Sequence, residues 1–160
     1  MSLRDNLGMT LQKFILNFNL MADRNVKIIN ASGKAPFILP MAKVTTTAFD
    51  KNSLVELGAT INPSDDNDTN VFGIIKEEVA TTDTDYSTAG ATKNVEIIQA
   101  GDLVEIDSTA ALTIGTSYGI SNAYTVDATD ITNDVFTPIK QITTTRYQGF
   151  MKALSAIAVQ

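Results

Sequence analysis

The spacing of apolar residues changes near residue 25. In the first twenty residues, apolar side chains recur mostly three or four positions apart, and polar residues separate them. This spacing places them on one face of a helix. The apolar positions are Leu3, Leu7, Leu11, Phe14, Ile15 and Phe18. We therefore predict an N-terminal amphipathic helical arm over residues 1–25, whose apolar stripe packs either on its own domain or on a partner.

From residue 26 onward, short runs rich in Val, Ile, Thr, Phe and Tyr alternate with turn-forming sequences. Such runs are typical of strands. The predicted strands are 26–29, 37–39, 43–47, 54–57, 71–75, 95–98, 103–106, 112–114, 118–120, 123–126, 136–142 and 149–154. Short strands with turn signals between them favour a sandwich or a barrel. The sequence therefore predicts a mainly β fold, a compact β-barrel or sandwich over residues 26–160 that carries the helical arm.

Composition narrows the function classes. The chain has 160 residues, of which 44% are hydrophobic, and it contains neither Cys nor His. These two counts remove thiolate catalysis, disulfides, the usual general base near neutral pH and the commonest metal ligand. No apolar run approaches the length that crosses a bilayer. We therefore expect a non-enzymatic protein without a membrane partner, a metal or a cofactor.

Charge is segregated along the chain. Residues 1–51 hold seven Lys/Arg and three Asp, residues 52–134 hold two Lys and fifteen acids, and residues 135–160 hold three Lys/Arg and no acid. Duplex nucleic acid requires Lys and Arg to neutralise phosphates, which the acidic middle does not supply. The basic ends suit an acidic protein surface, although such blocks also arise without function. We therefore expect no nucleic-acid partner.

One acidic stretch matches part of a calcium-binding loop. Asp66, Asp68 and Asn70 fall on positions 1, 3 and 5 of the EF-hand pattern, and Glu77 falls on position 12. Position 6, which requires Gly, holds Val71. A hairpin loop is therefore the favoured interpretation, and a looser cation site over residues 65–68 is the alternative.

A second acidic stretch contains Asp83 and Asp85. Two carboxyl groups can serve as a general acid and base, but no apolar surroundings raise the pKa of either in this sequence. Asp and Thr also form turns by bonding their own backbone, so we predict a loop here. The sequence contains no serine-triad, phosphate-loop or Ser-x-x-Lys pattern. No catalytic residue is predicted.

A collinear series of short segments resembles the head decoration, or capsid cement, proteins of tailed bacteriophages. The series includes the segment VFGIIKEEVA at 71–80, the loop TDTDY at 82–86 and the strand GTSYGI at 115–120. The other segments are 49–55, 95–98, 135–140 and 149–152. The resemblance covers about residues 49–152. It implies a β-rich protein on the outer surface of the virion, commonly a homotrimer, that stabilises the assembled capsid.

The resemblance leads to specific expectations. The partners would be the major capsid protein and other copies of this chain, and the protein would be made in the host cytoplasm. The apolar stripe of the arm is the predicted docking surface. The alternative is a receptor- or glycan-binding β-module of a phage tail or fibre, which would use the Asp-rich loops and Tyr118 or Tyr124 as a sugar platform.

Overall fold

A computed structural model describes residues 26–29, 33–66 and 68–152 of the chain. Within these residues the strands form two sheets, which we name after the strand at the centre of each. The β7 sheet contains β1 (Lys27–Ile29), β7 (Leu103–Ser108), β8 (Ile120–Asn122), β9 (Thr125–Val126), β10 (Phe136–Thr143) and β11 (Arg146–Met151). The β5 sheet contains β2 (Phe37–Ala42), β3 (Leu54–Leu57), β4 (Ile61–Pro63), β5 (Val71–Ile75) and β6 (Thr92–Ile97). A four-residue helix, α1 (Thr84–Ser87), lies between β5 and β6, so the prediction of a mainly β fold is confirmed.

The β7 sheet has the strand order β10-β11-β7-β9-β8, and β1 pairs with β7. Most neighbours in it are antiparallel, and β7 pairs with β9 in parallel. Along β7, Val104 and Ile106 are buried, whereas Glu105 and Asp107 are half-buried on the opposite face. Because successive side chains of a strand alternate between faces, this pattern gives the sheet one apolar and one polar face.

The β5 sheet has the antiparallel order β2-β6-β5-β3-β4 and is buried on both faces at its centre. Leu54 and Ile74 join the main core, where they pack with residues of the β7 sheet. Phe72 and Ile75 belong to a second core, which also contains Phe49. A strand covered on both faces reads as an unbroken apolar run, and this explains the sequence VFGII of β5.

The expected barrel does not form, because neither sheet closes on itself. The ends of the β5 sheet approach each other at a single bridge between Lys43 and Ile61. In the β7 sheet, a single bridge joins Tyr118, just before β8, to Phe136 at the start of β10. A one-residue bridge supplies at most one pair of ladder bonds, whereas a closed barrel needs a ladder along the whole strand. Two sheets that share a core are the observed architecture.

Several strand predictions are wrong. Of residues 43–47, Lys43 forms only the isolated bridge and residues 45–46 form a turn in which Thr46 has φ 56°, and residues 112–114 lie in a loop. Residues 118–120 contribute only a bridge and the first residue of β8. Conversely, β4 was not predicted, because Asn62 and Pro63 are residues typical of turns. Pro lacks the backbone donor, but at this edge of the sheet a missing donor costs little.

Close backbone packing makes Gly149 necessary in β11. A Cβ atom added to Gly149 would lie 2.2 Å from the Thr137 carbonyl oxygen and 2.7 Å from Cζ of Phe136. Thr137 and Phe136 belong to the adjacent strand β10. Because the nearest atom belongs to the backbone, the neighbouring strand would have to shift to admit a side chain.

The predicted helical arm over residues 1–25 lies outside the described residues, and so does the end of the predicted strand 149–154. Within the described ranges, no helix is long and apolar enough to cross a membrane.

Candidate functional site

The strand β2 exposes three consecutive large apolar side chains at the edge of the β5 sheet. The exposed fractions are 50% for Phe37, 48% for Ile38 and 37% for Leu39. On the inner side of the strand, Phe37 pairs with Ile97 and Leu39 pairs with Val95 of β6. Phe37 and Leu39 therefore extend the apolar face of the second core, to which Val95 and Ile97 belong, beyond the edge of the sheet.

The hydrogen-bond pattern of β2 determines which backbone groups point away from the sheet. The amide of Lys43 donates to the Ala91 carbonyl at 3.0 Å, directly after the register pair of Ala42 with Thr92. Bonded pairs alternate along an antiparallel ladder, so the odd residues of β2 bond to β6. The N–H and C=O groups of Ile38 and the C=O of Pro40 consequently point outward. Among the described strands, none pairs with this outer side of β2.

The strand β10 provides a second edge with exposed apolar residues, in the β7 sheet. Ile139 and Ile142 are exposed, and the register against β11 shifts at both positions. Ile114 is also exposed, and its neighbour Gly115 donates to the Pro138 carbonyl at 2.9 Å. An exposed edge strand with apolar side chains pairs readily with another chain. The described part of the protein thus carries such residues at one edge of each sheet.

The structure separates the residues that matched the calcium-loop pattern. Asp68 precedes β5, and its Oδ2 accepts a hydrogen bond from the Asp65 amide at 2.7 Å. Glu77 follows β5 and binds β6, where its Oε1 accepts from Nδ2 of Asn94 at 2.5 Å. A five-residue strand spans about 16 Å, so the two carboxylates cannot share one ion. The stretch is a loop, as predicted, but not a hairpin loop, because β4 and β5 on its two sides each pair with β3 and not with each other.

Two carboxyl groups lie close together where β3 meets the loop before β5. The pKa of Glu56 is raised by partial burial and then by the charge of Asp68. The pKa of Asp68 is raised as well, and burial is the main cause. The described residues contain no group of three or more metal-binding side chains, and the alternative cation site over residues 65–68 includes Asn67, which lies outside them. Glu56 and Asp68 therefore repel each other at neutral pH.

The second acidic stretch forms a turn and an ion pair. Oδ2 of Asp83 accepts a hydrogen bond from the Ala80 amide at 2.8 Å, and Oδ2 of Asp85 accepts one from Nζ of Lys93 at 2.7 Å. This bond from Lys93 lowers the pKa of Asp85. The predicted loop is therefore partly wrong, since Asp85 lies in the short helix α1, and each carboxylate has its own structural partner.

Arg146 and Tyr147 combine a cation and an aromatic ring in a basic part of the sequence, a combination that could stack on the bases of single-stranded nucleic acid. In the structure they do not form such a surface. Tyr147 is buried in the main core. The guanidinium of Arg146 binds Oε1 of Glu105 at 2.7 Å and Oδ1 of Asp107 at 2.8 Å. The hydrogen bond from Arg146, followed by one from Gln148, lowers the pKa of Glu105. Binding of single-stranded nucleic acid needs exposed aromatic rings beside cations that no carboxylate neutralises, and Arg146 and Tyr147 offer neither.

An open depression lies at the junction of the two sheets. Its volume is about 460 Å³. Leu54 connects its two sides, because its amide donates to the Ala123 carbonyl at 2.8 Å and its carbonyl accepts from the Ser64 amide at 3.0 Å. The lining consists of Ser64, Asp107, Asn122, Ala123, Tyr124 and Thr125.

Of the two tyrosines suggested as a sugar platform, only Tyr124 lies at this depression. Tyr118 is 5% exposed, and its hydroxyl accepts a hydrogen bond from the Thr113 amide at 2.9 Å. The suggestion of Tyr118 was therefore wrong, because its ring is part of the main core. The hydroxyl of Tyr124 donates to Asp50, and its amide donates to Oδ1 of Asn122 at 2.9 Å.

Two further polar residues have roles that sequence reasoning missed. Lys43 is buried, and its Nζ donates to the carbonyls of Val44 at 3.0 Å and Tyr86 at 3.1 Å. Asp130 accepts hydrogen bonds from the amides of Thr132 and Asn133, and these bonds contribute to lowering its pKa to about 2. The Asp-x-Thr sequence signals a turn, but nothing in the sequence indicates that the lysine is buried.

The predicted docking residues of the arm, Leu3, Leu7, Leu11, Phe14, Ile15 and Phe18, lie outside the described residues. No protein-family model, no curated protein and no solved structure matches the chain.

Proposed function

We propose that the chain is a non-enzymatic structural protein that decorates the outer surface of a viral head shell and stabilises it by binding the major capsid protein. The observation that supports this proposal best is the exposed apolar edge of β2. A contiguous apolar edge on a folded domain is typical of a surface that another protein covers. The collinear resemblance over residues 49–152 supplies the class of partner.

The β2 edge can accept a strand from a partner. Ile38 offers a backbone donor and an acceptor to an added strand, and Pro40 offers an acceptor only. Strand addition of this kind obtains affinity from main-chain bonds and specificity from the flanking side chains. The missing donor at Pro40 prevents a continuous ladder, so indiscriminate edge pairing is disfavoured. A partner strand must therefore match both the register and the apolar side chains.

The size of the apolar contribution follows from exposure. Complete burial of a large apolar side chain stabilises by about 1.5–3 kcal/mol. Phe37, Ile38 and Leu39 already have about half or more of their surface buried, so covering the rest contributes about 1 kcal/mol each, or about 3 kcal/mol per copy. This is a modest affinity for one copy. Repetition over a lattice of linked copies increases it strongly.

Self-association belongs to the same proposal. Among the described residues, β10 provides an exposed apolar edge separate from β2, and packing of the β10 edge on a different surface of a neighbour is a head-to-tail contact that leaves β2 free for the shell. Head-to-tail contacts generate closed rings when the rotation between neighbours permits it. A homotrimer is the ring we propose, as the resemblance implies. Light scattering of the full chain should give three times the mass of one chain, and a monodisperse monomer would contradict the trimer.

The apolar stripe at residues 3–18 remains the proposed second contact with the shell. A truncated chain that begins at Asp23 should keep its β domain and should bind shells at lower occupancy than the full chain does. Full occupancy by this truncated chain would overturn the proposed role of the stripe and would leave the β2 edge as the docking surface.

The decisive experiment compares binding to purified shells that lack any decoration protein. The double variant Phe37→Thr/Leu39→Thr introduces β-branched residues, which suit a strand, and removes most of the apolar edge. We expect shell affinity to fall by about thirtyfold, which corresponds to about 2 kcal/mol. The matched control is Ile131→Thr, which alters an isoleucine that is even more exposed, at 67%, in the loop before β10 and should bind as the wild type does. Equal binding by the double variant would refute the role of β2.

The alternative function is a receptor- or glycan-binding module of a phage tail or fibre. A decoration protein should co-sediment with intact shells, whereas a tail or fibre module should not. A screen of the full chain against shells and against isolated tails separates the two proposals directly.

A further inference from the structure

We propose that the depression at the junction of the two sheets binds a neutral carbohydrate, with one pyranose ring against Tyr124. The depression has a volume of about 460 Å³, which lies within the range of roughly 300–1,000 Å³ that small-molecule sites occupy. Such a site is independent of the shell-binding surface, because none of its lining residues belongs to β2 or β10.

One wall of the depression contains a buried hydroxyl, that of Ser64. Ser64 is 3% exposed, and its Oγ has no hydrogen-bond partner among the described residues. Buried polar groups are almost always paired, so an unpaired one requires an explanation. Because this oxygen atom is itself buried, a sugar would reach it only after a movement of the wall, and the polar groups of Asn122, Thr125 and Asp107 are the ones that contact the sugar.

The aromatic ring at the site is held in place before any ligand binds. Tyr124 packs against the main core, its amide is bonded to Asn122, and its hydroxyl is bonded to Asp50. Fixing a side chain beforehand removes the entropy cost that binding would otherwise carry. Aromatic side chains offer a flat apolar surface, and the C–H face of a pyranose ring is complementary to such a surface.

The other side chains favour a neutral ligand. Thr125 and Asp107 are register partners on neighbouring strands, so they present a hydroxyl and a carboxylate on the same face. Oδ1 of Asp107 already binds Arg146 at 2.8 Å, which compensates the charge of the carboxylate. The lining contains no Lys or Arg that would attract an anion. Hydroxyl, amide and carboxylate groups around one aromatic ring match the alternating donors and acceptors of a sugar.

The test is an NMR titration of the full ¹⁵N-labelled chain. The probes are methyl α-D-glucopyranoside, methyl α-D-mannopyranoside, methyl β-D-galactopyranoside and N-acetylglucosamine, each raised to millimolar concentration. N-acetylneuraminic acid and tetramethylammonium serve as the anionic and cationic comparisons. We expect at least one neutral sugar to shift the amides of Asn122 and Thr125 saturably, and neither charged probe to do so.

Variants assign the binding to this depression. Thr125→Val removes the hydroxyl with almost no change of shape and should weaken binding by about tenfold, the equivalent of about 1.4 kcal/mol. Tyr124→Leu should abolish binding, and Thr125→Val decides the question alone if Tyr124→Leu does not fold. Thr143→Val, at an exposed position of β10, is the matched control and should bind like the wild type.

Three results would overturn the proposal. The first is the absence of saturable shifts with all four neutral sugars. The second is a stronger response to either charged probe. The third is sugar binding that Thr125→Val leaves unchanged. Loss of shell binding in the β2 variant has no bearing on these outcomes, so this proposal and the proposed function can fail separately.

Discussion

The substitution Tyr147→Phe removes a single oxygen atom, that of the hydroxyl. We expect this hydroxyl to contribute about 2 kcal/mol to the stability of the protein. In the structure this oxygen accepts hydrogen bonds from the Leu112 amide at 3.0 Å and from Gln141 at 3.2 Å, and it donates to the Thr144 carbonyl at 3.1 Å. Leu112 and Tyr147 are both buried. The substitution therefore leaves the Leu112 amide without its partner inside the protein.

The magnitude follows from the cost of that unpaired donor. A buried donor that loses its partner costs about 1–3 kcal/mol, and the phenyl ring leaves the packing of the core intact. We expect a loss of about 2 kcal/mol in the free energy of unfolding, or about 6 °C in Tm for a domain of this size. Urea denaturation at neutral pH measures the change, and hydrogen exchange should show the Leu112 amide losing protection.

Tyr86→Phe provides the matched control. Tyr86 is a partly buried member of the second core, and no hydrogen bond of its hydroxyl is found within the described residues. Its substitution should change stability by less than about 0.5 kcal/mol. A Tyr147→Phe variant as stable as Tyr86→Phe would refute the reasoning. It would mean that the Tyr147 hydroxyl does not stabilise the loop that contains Leu112.

Three further substitutions test other parts of the structure. Gly149→Ala should destabilise by more than about 2 kcal/mol in urea denaturation, because its Cβ would meet the Thr137 carbonyl oxygen at 2.2 Å, whereas Gly58→Ala should be tolerated. Asp68→Asn should stabilise the protein by about 0.5 kcal/mol at pH 7, because it removes the repulsion between Asp68 and Glu56. Thermal melts should show this gain disappearing as the pH falls through the pKa values of the two carboxyls. Asp130→Ala should lose about 1 kcal/mol at pH 7, and melts over a pH series should show the deficit shrinking as the pH falls from about 4 towards 2.

The signs of the two pH effects are opposite because the two pKa shifts are opposite. The pKa of Asp68 is raised in the folded protein, so its neutral form is the one that folding favours, and its ionisation above that pKa costs stability. The pKa of Asp130 is lowered to about 2, so its stabilising effect is complete above its unfolded pKa and is lost as the carboxylate is protonated. A deficit in Asp130→Ala that is constant from pH 7 to pH 2 would contradict the assigned hydrogen bonds.

Part of the fold could be predicted from the sequence because local patterns determine it. The alternation of apolar and polar residues in β7 and the apolar run of β5 identified both strands within a residue or two. The short strand β4 could not be predicted, because Ile61-Asn62-Pro63 is turn-like and becomes a strand only through pairing with β3. Whether the two sheets close into a barrel also depends on pairing between strands that are distant in the sequence, which local patterns do not predict.

Surface and core positions of similar residues could not be distinguished from the sequence. Tyr118 and Tyr124 occur in similar surroundings along the chain, yet one is in the core and the other lines a depression. Lys43 is buried because two backbone carbonyls bind its ammonium group, and those carbonyls are brought together only by the fold. The apolar edge of β2 was visible as a strand, but its exposure depends on its place at the end of the sheet.

The most direct test of the central proposal measures whether the protein strengthens a shell. Purified capsid shells that lack decoration protein are heated with and without the full chain, and their rupture temperature is followed by light scattering. The proposal predicts that the full chain binds the shells and raises the rupture temperature, and that Phe37→Thr/Leu39→Thr raises it less than Ile131→Thr does. Shells that rupture at the same temperature with and without the bound chain would contradict a stabilising function.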